Sequence, residues 1–340
     1  MRHNFFLVGF LSLVACSSKD DEPTITFPVP QNQWVRLTNH AAEDFHPSFS
    51  PDGQRVLFDS NREGHHEVYS IKVDGTDLQR LTTGNIDNDH PRWSPDGTHI
   101  LFESDNGNVD LYSMNKDGTG RTRLTTRPEL DGAGFYSPDG NRISYISLQN
   151  DVFDLYVMNA DGSNDHRLTQ NQVHDFGQVW SPDGTHLAFM RQENGAQFEI
   201  YSIPQDGSEQ GINLSQHAAE DEEPNWSPDG NKIAFISTRD GNYEIYTMAS
   251  NGTYVDRLTT TDELEHEISW SPDGSEILYS QGLGTDAEIF TMNADGTNVI
   301  QITDNDTRET VPAWSPDGKS IVFVSEQGGN YEIYTVKIKD

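Results

Sequence analysis

The tetrapeptide Ser-Pro-Asp-Gly occurs seven times in this chain of 340 residues, beginning at Ser50, Ser94, Ser137, Ser181, Ser227, Ser271 and Ser315. Successive copies start 44, 43, 44, 46, 44 and 44 residues apart. A fixed period of this size marks a supersecondary unit that cannot bury a core alone and must stack on its neighbours. The residue before each Ser is aromatic: Phe49, Trp93, Tyr136, Trp180, Trp226, Trp270 and Trp314. A short apolar run follows, as in Val56-Leu57-Phe58 and Ile321-Val322-Phe323. A third run centres on an aliphatic–aromatic pair (Val68-Tyr69, Ile245-Tyr246, Ile333-Tyr334), and a fourth ends in Leu-Thr or a variant (Leu37-Thr38, Leu81-Thr82, Leu214-Ser215). Runs this short, β-branched and aromatic, separated by turn residues, predict strands.

The turns between them have a mechanism. In Ser-Pro-Asp-Gly the proline presets φ at the second position, and the glycine accepts positive φ after a type I turn. This joins the first strand to the second. Asp-Gly-Thr and its variants, at Asp74, Asp117, Asp161, Asp206, Asn251 and Asp295, join the third to the fourth. Each unit is then a four-stranded antiparallel meander. Seven of them predict an all-β fold, a seven-bladed β-propeller over residues 33–340. The ordered part begins with a fourth-type strand, Trp34 to Thr38, and ends on a third-type strand near Tyr334. The N-terminal strand is therefore expected to complete the last blade, leaving no open edge.

Ahead of the repeats, Arg2 precedes an apolar run from Phe5 to Ala15 and then Cys16. The run is too short to span a bilayer and reads as the core of an export signal. Leu13-Val14-Ala15-Cys16 resembles the lipobox of bacterial lipoproteins. That resemblance implies a signal peptide over residues 1–15, lipidation of the Cys16 thiol, and an outer-membrane lipoprotein facing the periplasm or the cell surface. Residues 16–32 are polar, carry Pro23, Pro28 and Pro30, and read as a flexible tether. Cys16 is the only cysteine, so neither an intrachain disulfide nor a Cys-ligated metal cluster can form.

Asp and Glu number 55 against 22 Lys and Arg, a net charge of −33. Such a surface repels nucleic acid and anionic lipid head groups, so membrane contact is expected through the anchor alone. It attracts cations and basic partners, and it also keeps a protein soluble.

Six residues before each motif Ser stands Asp44, Asn88, Asp131, Asp175, Asp221, Glu265 or Glu309. Six of these seven are carboxylates, placed where first strands enter the channel. Two readings are open: a hard-cation site, with Ca²⁺ the natural ion, or carboxylates that accept backbone N–H groups in their own loops. A second acidic series (Glu67, Asp110, Asp154, Glu199, Glu244, Glu288, Glu332) precedes every third strand, which argues for a structural pairing. Histidines gather in the loops of the same face, at His40, His46, His90, His174, His217 and His266. Departures from the repeat, with Phe45 and Phe176 in loops and Gly134 and Gln178 in place of proline, make Asp131, Asp175, Asp221, Phe45 and Phe176 candidates for partner contact.

The unit Trp-Ser-Pro-Asp-Gly, apolar-x-Phe, Ile-Tyr-x-Met, Asp-Gly-Thr, Leu-Thr resembles the WD40-like PD40 repeat of the TolB family. Trp226 to Gly230 with Ile245-Tyr246-Thr247-Met248, and Trp93 to Gly97 with Leu111-Tyr112-Ser113-Met114, carry it best. TolB itself resembles a six-bladed propeller behind a separate domain, whereas this chain has seven repeats behind a tether. No Gly-x-Ser-x-Gly nucleophile elbow appears. The expectation is a monomeric, lipid-anchored scaffold that binds a basic envelope protein or peptide. The alternative is a metal-dependent carbohydrate-active enzyme, because oligogalacturonate lyases have a similar seven-bladed propeller with a His-held metal.

Overall fold

Each Ser-Pro-Asp-Gly copy folds into the same turn. In the first, the Gly53 N–H donates to Ser50 O at 2.8 Å, and Ser50 Oγ donates to Asp52 Oδ1 at 2.6 Å. The turn glycines take φ of 67–71°, a left-handed conformation that costs a side-chain-bearing residue about 1 kcal/mol. The computed structural model describes residues 29, 30, 33–193, 197–208 and 210–339. The lipobox and Cys16 lie outside the described residues.

The first blade comprises Asp44–Phe49, Arg55–Ser60, Glu67–Lys72 and Gln79–Arg80, paired antiparallel in chain order. Five further blades repeat the pattern from Asp87, Asp131, Asp175, Asp221 and Glu265. The seventh is assembled from both ends of the chain. Glu309–Trp314, Ser320–Ser325 and Glu332–Lys337 are joined by Trp34–Arg36, with Trp34 opposite Val336 and Arg36 opposite Tyr334. The Trp34 ring stands edge-on to Phe323 at 5.1 Å, and Leu37 is buried just beyond. The expected closure is thus the observed one. Val29, assigned from the sequence to the tether, packs half-buried against this same cluster.

The core lies between blades. Leu57 and Val68 of the first blade pack with Ile100, Phe102 and Met114 of the second, and other seams repeat the arrangement. A belt of motif residues ties the opposite face. A Cβ on Gly97 would lie 3.5 Å from Pro51, on Gly274 3.4 Å from Pro228, and on Gly53 3.8 Å from Pro316. The last of these joins the first and seventh blades. The conserved geometry of the aromatic position also crosses the seam: Trp180 Nε1 donates to Phe135 O and Trp270 Nε1 to Asn225 O, both at 3.1 Å.

In most seams the first strands of neighbouring blades touch one another, which places them along the channel. All seven contain a bulge, which the repeat alone does not announce. Four residues before each motif Ser, His46, His90, Ala133, Gly177, Glu223, Glu267 and Val311 have φ between 48° and 64°. A bulge re-aims the side chains beside it. The loops flanking this end share one face: Glu43 N–H donates to Asn61 Oδ1, and Thr238 N–H to Glu220 O.

Trp34→Ala removes the closing ring contact and is expected to lower unfolding stability by about 2–4 kcal/mol. Deleting residues 1–38 is expected to expose Glu332–Lys337 as a free edge and to produce concentration-dependent association. Thermal melts and light scattering read both outcomes.

Candidate functional site

The seven residues six before each motif Ser are buried, each 0 or 1 % exposed. They stand in the seams between blades, because their strands begin against the preceding blade: Asp44 N–H donates to Tyr331 O, and Glu309 N–H to Ala287 O. Four of the acids have an arginine close by. Arg62 donates to Asp44 at 2.8 Å and Arg239 to Asp221 at 2.9 Å, while Arg191 grips Asp175 through two bonds of 2.7 and 2.9 Å. Arg127 approaches Asp131 to 3.9 Å and also bonds Tyr145 and Asp165; burial raises the Asp131 carboxyl to about 6. Each of these guanidiniums lies over the aromatic pair of its own blade, as Arg62 over Tyr69 at 4.6 Å and Arg191 over Tyr201 at 4.5 Å. Among the described residues, the set Asp44, Asp131, Asp175, Asp221, Glu265 and Glu309 is spread one per seam, and no three of its members come within reach of one ion.

The second acidic series forms a brace with the Arg-Leu-Thr end of the fourth strand. Arg80 donates to Glu67 at 2.7 Å and to Thr82 O at 2.8 Å, while Thr82 Oγ1 donates to Glu67 and accepts the Val68 N–H. Arg36–Glu332, Arg123–Asp110, Arg167–Asp154 and Arg257–Glu244 repeat it.

The two acidic series meet at the seams. Between the first and second blades, Asn88 Nδ2 donates to Glu67 Oε2 at 3.1 Å. Among the described residues, no arginine lies over Tyr279 and Phe290 of the sixth blade, and there Glu265 faces Glu244 directly. Burial first, and Glu244 second among the raising influences, push the Glu265 carboxyl up to about 8, against donors Thr261 and Thr259. Burial and Glu309 likewise push Glu288 up to about 7.

What the repeat does not explain gathers at the channel. Of the six loop histidines, only His46 and His90 come together, their rings 4.0 Å apart. His40 and His217 each accept a backbone N–H two residues on, the same turn in two blades. His174 accepts the Phe153 N–H, and His266 bonds Gly282 O. Below the His46–His90 pair lie two acids that the sequence reading passed over. Asp59 and Glu103 occupy the second-strand position that Ile146, Met190, Ile236 and Val324 fill in four other blades and Ser280 in the sixth. Asp59 is bracketed by His46 Nδ1 at 2.7 Å and His66 Nδ1 at 2.9 Å. Burial opposes its ionisation, yet the two imidazoles hold it below the ordinary carboxylate range. Burial also opposes charge on His90, but Glu103, Asp89 and Asp59 carry its pKa up to about 9. Burial outweighs the attraction of His90 at Glu103, whose carboxyl moves up. Arg92, half-buried, completes this side, its guanidinium over the Phe135 ring at 3.8 Å. An acid where no other blade carries a charged residue was the available signal.

Across the fifth and sixth blades the channel end is acidic. Glu223 accepts the Glu267 N–H, and Glu267 accepts the Val311 N–H, Thr310 Oγ1 and Ser280 Oγ, all at 2.7–2.8 Å. Tyr243 donates to Glu220 at 2.9 Å. Glu222 is 5 % exposed, and burial together with Glu220 and Glu223 raises its carboxyl to about 8. Among the described residues, none of these four glutamates has a lysine or arginine ion-pair partner. Phe176 stands on the adjoining fourth blade, 5.0 Å from Phe198 and opposite Met190, whose sulfur accepts the Glu223 N–H. Phe45 lies 4.6 Å from Tyr331 on the first blade. Both phenyl groups are half-buried.

A raised carboxyl pKa means that the folded state holds a proton the unfolded chain has released, so stability falls as pH rises from 4.5 to about 8. Glu265→Gln escapes this loss and supplies the amide donor that Asn88 supplies to Glu67. It is expected to match the wild type near pH 4.5 and to exceed it at pH 8 by about 1–3 kcal/mol. Asn88→Asp is expected to be destabilised at pH 8. Denaturant unfolding across this pH range measures both.

No curated protein matches the chain by sequence. Among solved structures, an oligogalacturonate lyase in complex with manganese is similar over 90% of this chain and 93% of its own, with a TM-score of 0.76 and 17% identity. An oligogalacturonate lyase from Vibrio parahaemolyticus is similar over 90% and 94%, with a TM-score of 0.73 and 15% identity. TolB from Acinetobacter baumannii is similar over 81% of this chain and 67% of its own, with a TM-score of 0.57 and 22% identity. At these identities the likeness is one of fold. The family model for the TolB beta propeller domain, PD40, matches residues 11–126, 88–211, 174–286 and 269–340. With seven repeats closed into one ring and that family pattern running through all of them, the chain belongs to the PD40 family of TolB β-propellers.

Proposed function

We propose that this propeller is a lipid-anchored module of the bacterial envelope that binds a basic protein or peptide segment at its channel mouth. The observation that carries the reading is the group Glu220, Glu222, Glu223 and Glu267, with Glu222 buried and the other three half-buried, and without a lysine or arginine ion-pair partner among the described residues. Crowded carboxylates of this kind are relieved by a lysine or arginine inserted from outside. Phe176 beside them offers an apolar surface for the stem of such a side chain. Asp131, Asp175 and Asp221 would act behind this surface, since their carboxylates are buried and hold the seams.

The net charge of −33 supports long-range attraction of a basic partner and opposes nucleic acid. The lipobox supports attachment through Cys16 at the outer membrane, facing the periplasm or the cell surface. Two acyl chains, at roughly 0.8 kcal/mol per buried methylene, would hold the propeller there stably. A monomer suffices, because ring closure leaves no unpaired sheet edge at the chain ends.

A fluorescent Lys- and Arg-rich peptide is expected to bind the purified propeller with an affinity that falls as salt rises. Glu222→Gln with Glu223→Gln is expected to weaken it roughly tenfold, and equal binding by the double variant would overturn the reading. In cells, Cys16→Ala is expected to move the protein from the detergent phase to the aqueous phase and to remove the acyl mass from the intact protein.

A further inference from the structure

The first and second blades present a different chemistry from the fifth and sixth, mixed imidazole and carboxylate rather than carboxylate alone. Asp89 and Glu103 face each other across the first two strands of the second blade. His90 follows Asp89 at the bulge, with φ 48°, and its Nδ1 lies 3.4 Å from Asp89 Oδ1 and 3.8 Å from Glu103 Oε2. One donor atom from each of the three falls within 4.8 Å of the others, the one such group of His, Cys, Asp and Glu among the described residues.

We propose that Asp89, His90 and Glu103 form a binding site for a divalent first-row transition metal. The donor set is one imidazole nitrogen and two carboxylate oxygens, which suits Zn²⁺ or Mn²⁺ and differs from the all-oxygen cage that Ca²⁺ prefers. The site has the outer support that metal ligands need. Glu103 Oε1 accepts the Ala133 N–H at 2.7 Å, which fixes the carboxylate and leaves Oε2 on the His90 side. The His46 ring packs on His90 at 4.0 Å, and Asp59 holds His46 through Nδ1, so this pair of contacts fixes the orientation of the His90 ring. Arg92, half-buried in the same blade, adds a positive charge near Glu103. None of these ligands belongs to the six seam carboxylates, and none belongs to the glutamate group of the fifth and sixth blades. The site therefore stands independently of the binding role proposed above.

The test is metal titration of the purified propeller after chelator treatment, by calorimetry with Zn²⁺ and by electron paramagnetic resonance with Mn²⁺. One equivalent is expected to bind, Zn²⁺ more tightly than Mn²⁺. His90→Asn and Glu103→Gln are each expected to weaken binding by at least roughly tenfold, and His46→Asn by less. Glu103→Gln keeps the carbonyl that accepts the Ala133 N–H, and an unchanged melting temperature without metal confirms that its loss is not one of folding. Glu222→Gln with Glu223→Gln is expected to retain full metal affinity. Absence of a one-equivalent phase, or a phase that His90→Asn and Glu103→Gln leave unchanged, would overturn the site.

Discussion

The ring closes because a strand from the start of the chain completes a sheet made by its end. Trp34–Arg36 lies on Glu332–Lys337, and every other feature depends on that pairing. A blade on its own has two apolar faces and cannot bury either; only neighbours on both sides do so. Seven similar seams then share the hydrophobic burial, and the Gly53–Pro316 contact completes the belt of motif turns at the joint between the first and seventh blades. Joining the first and last segments makes the whole ring one cooperative body, since no terminal repeat is left to fray.

Within the seams, packing is accompanied by buried charge. An arginine laid over the aromatic pair reaches the first-strand acid, and a second arginine from the fourth strand reaches the third-strand acid. Charged groups are costly to bury unless paired and hydrogen-bonded, and in the first five blades they are largely satisfied in this way. The sixth blade keeps both acids without the aromatic-stacked guanidinium and responds by holding a proton. The second blade avoids the problem with Asn88, whose amide donates to the neighbouring acid. Near-equivalent sites in one chain thus show three solutions to the same electrostatic conflict.

The channel uses the positions that the scaffold does not need. Residues four and five before the motif Ser differ from blade to blade: the bulge lifts the residue four before out of the ladder, and the residue five before is the last one paired ahead of it. On the first two blades they combine with Asp59 and Glu103 into an imidazole–carboxylate group; on the fifth and sixth they form an acid cluster. The left-handed conformation at His46, His90, Glu223 and Glu267 costs backbone energy that the interblade contacts must offset. Glu267, for example, accepts two hydrogen bonds from the seventh blade.

The repeat period, the turn motif and the order of strand types determined blade number, strand pairing and the mode of closure, because each is a local property copied seven times. The acidic series at fixed offsets was visible too, but not its environment. Asp44 and Asp221 occur at a channel-entry position in every alignment of the repeats, yet their carboxylates turn into a seam toward Arg62 and Arg239, eighteen residues away in the chain. Only the tertiary structure decided that, because burial and pairing depend on how one blade packs on the next. It also brought His90 to Glu103 and His46 to His90: the bulge sets side-chain direction, and a one-residue change of register is invisible in a sequence whose alternation continues on both sides.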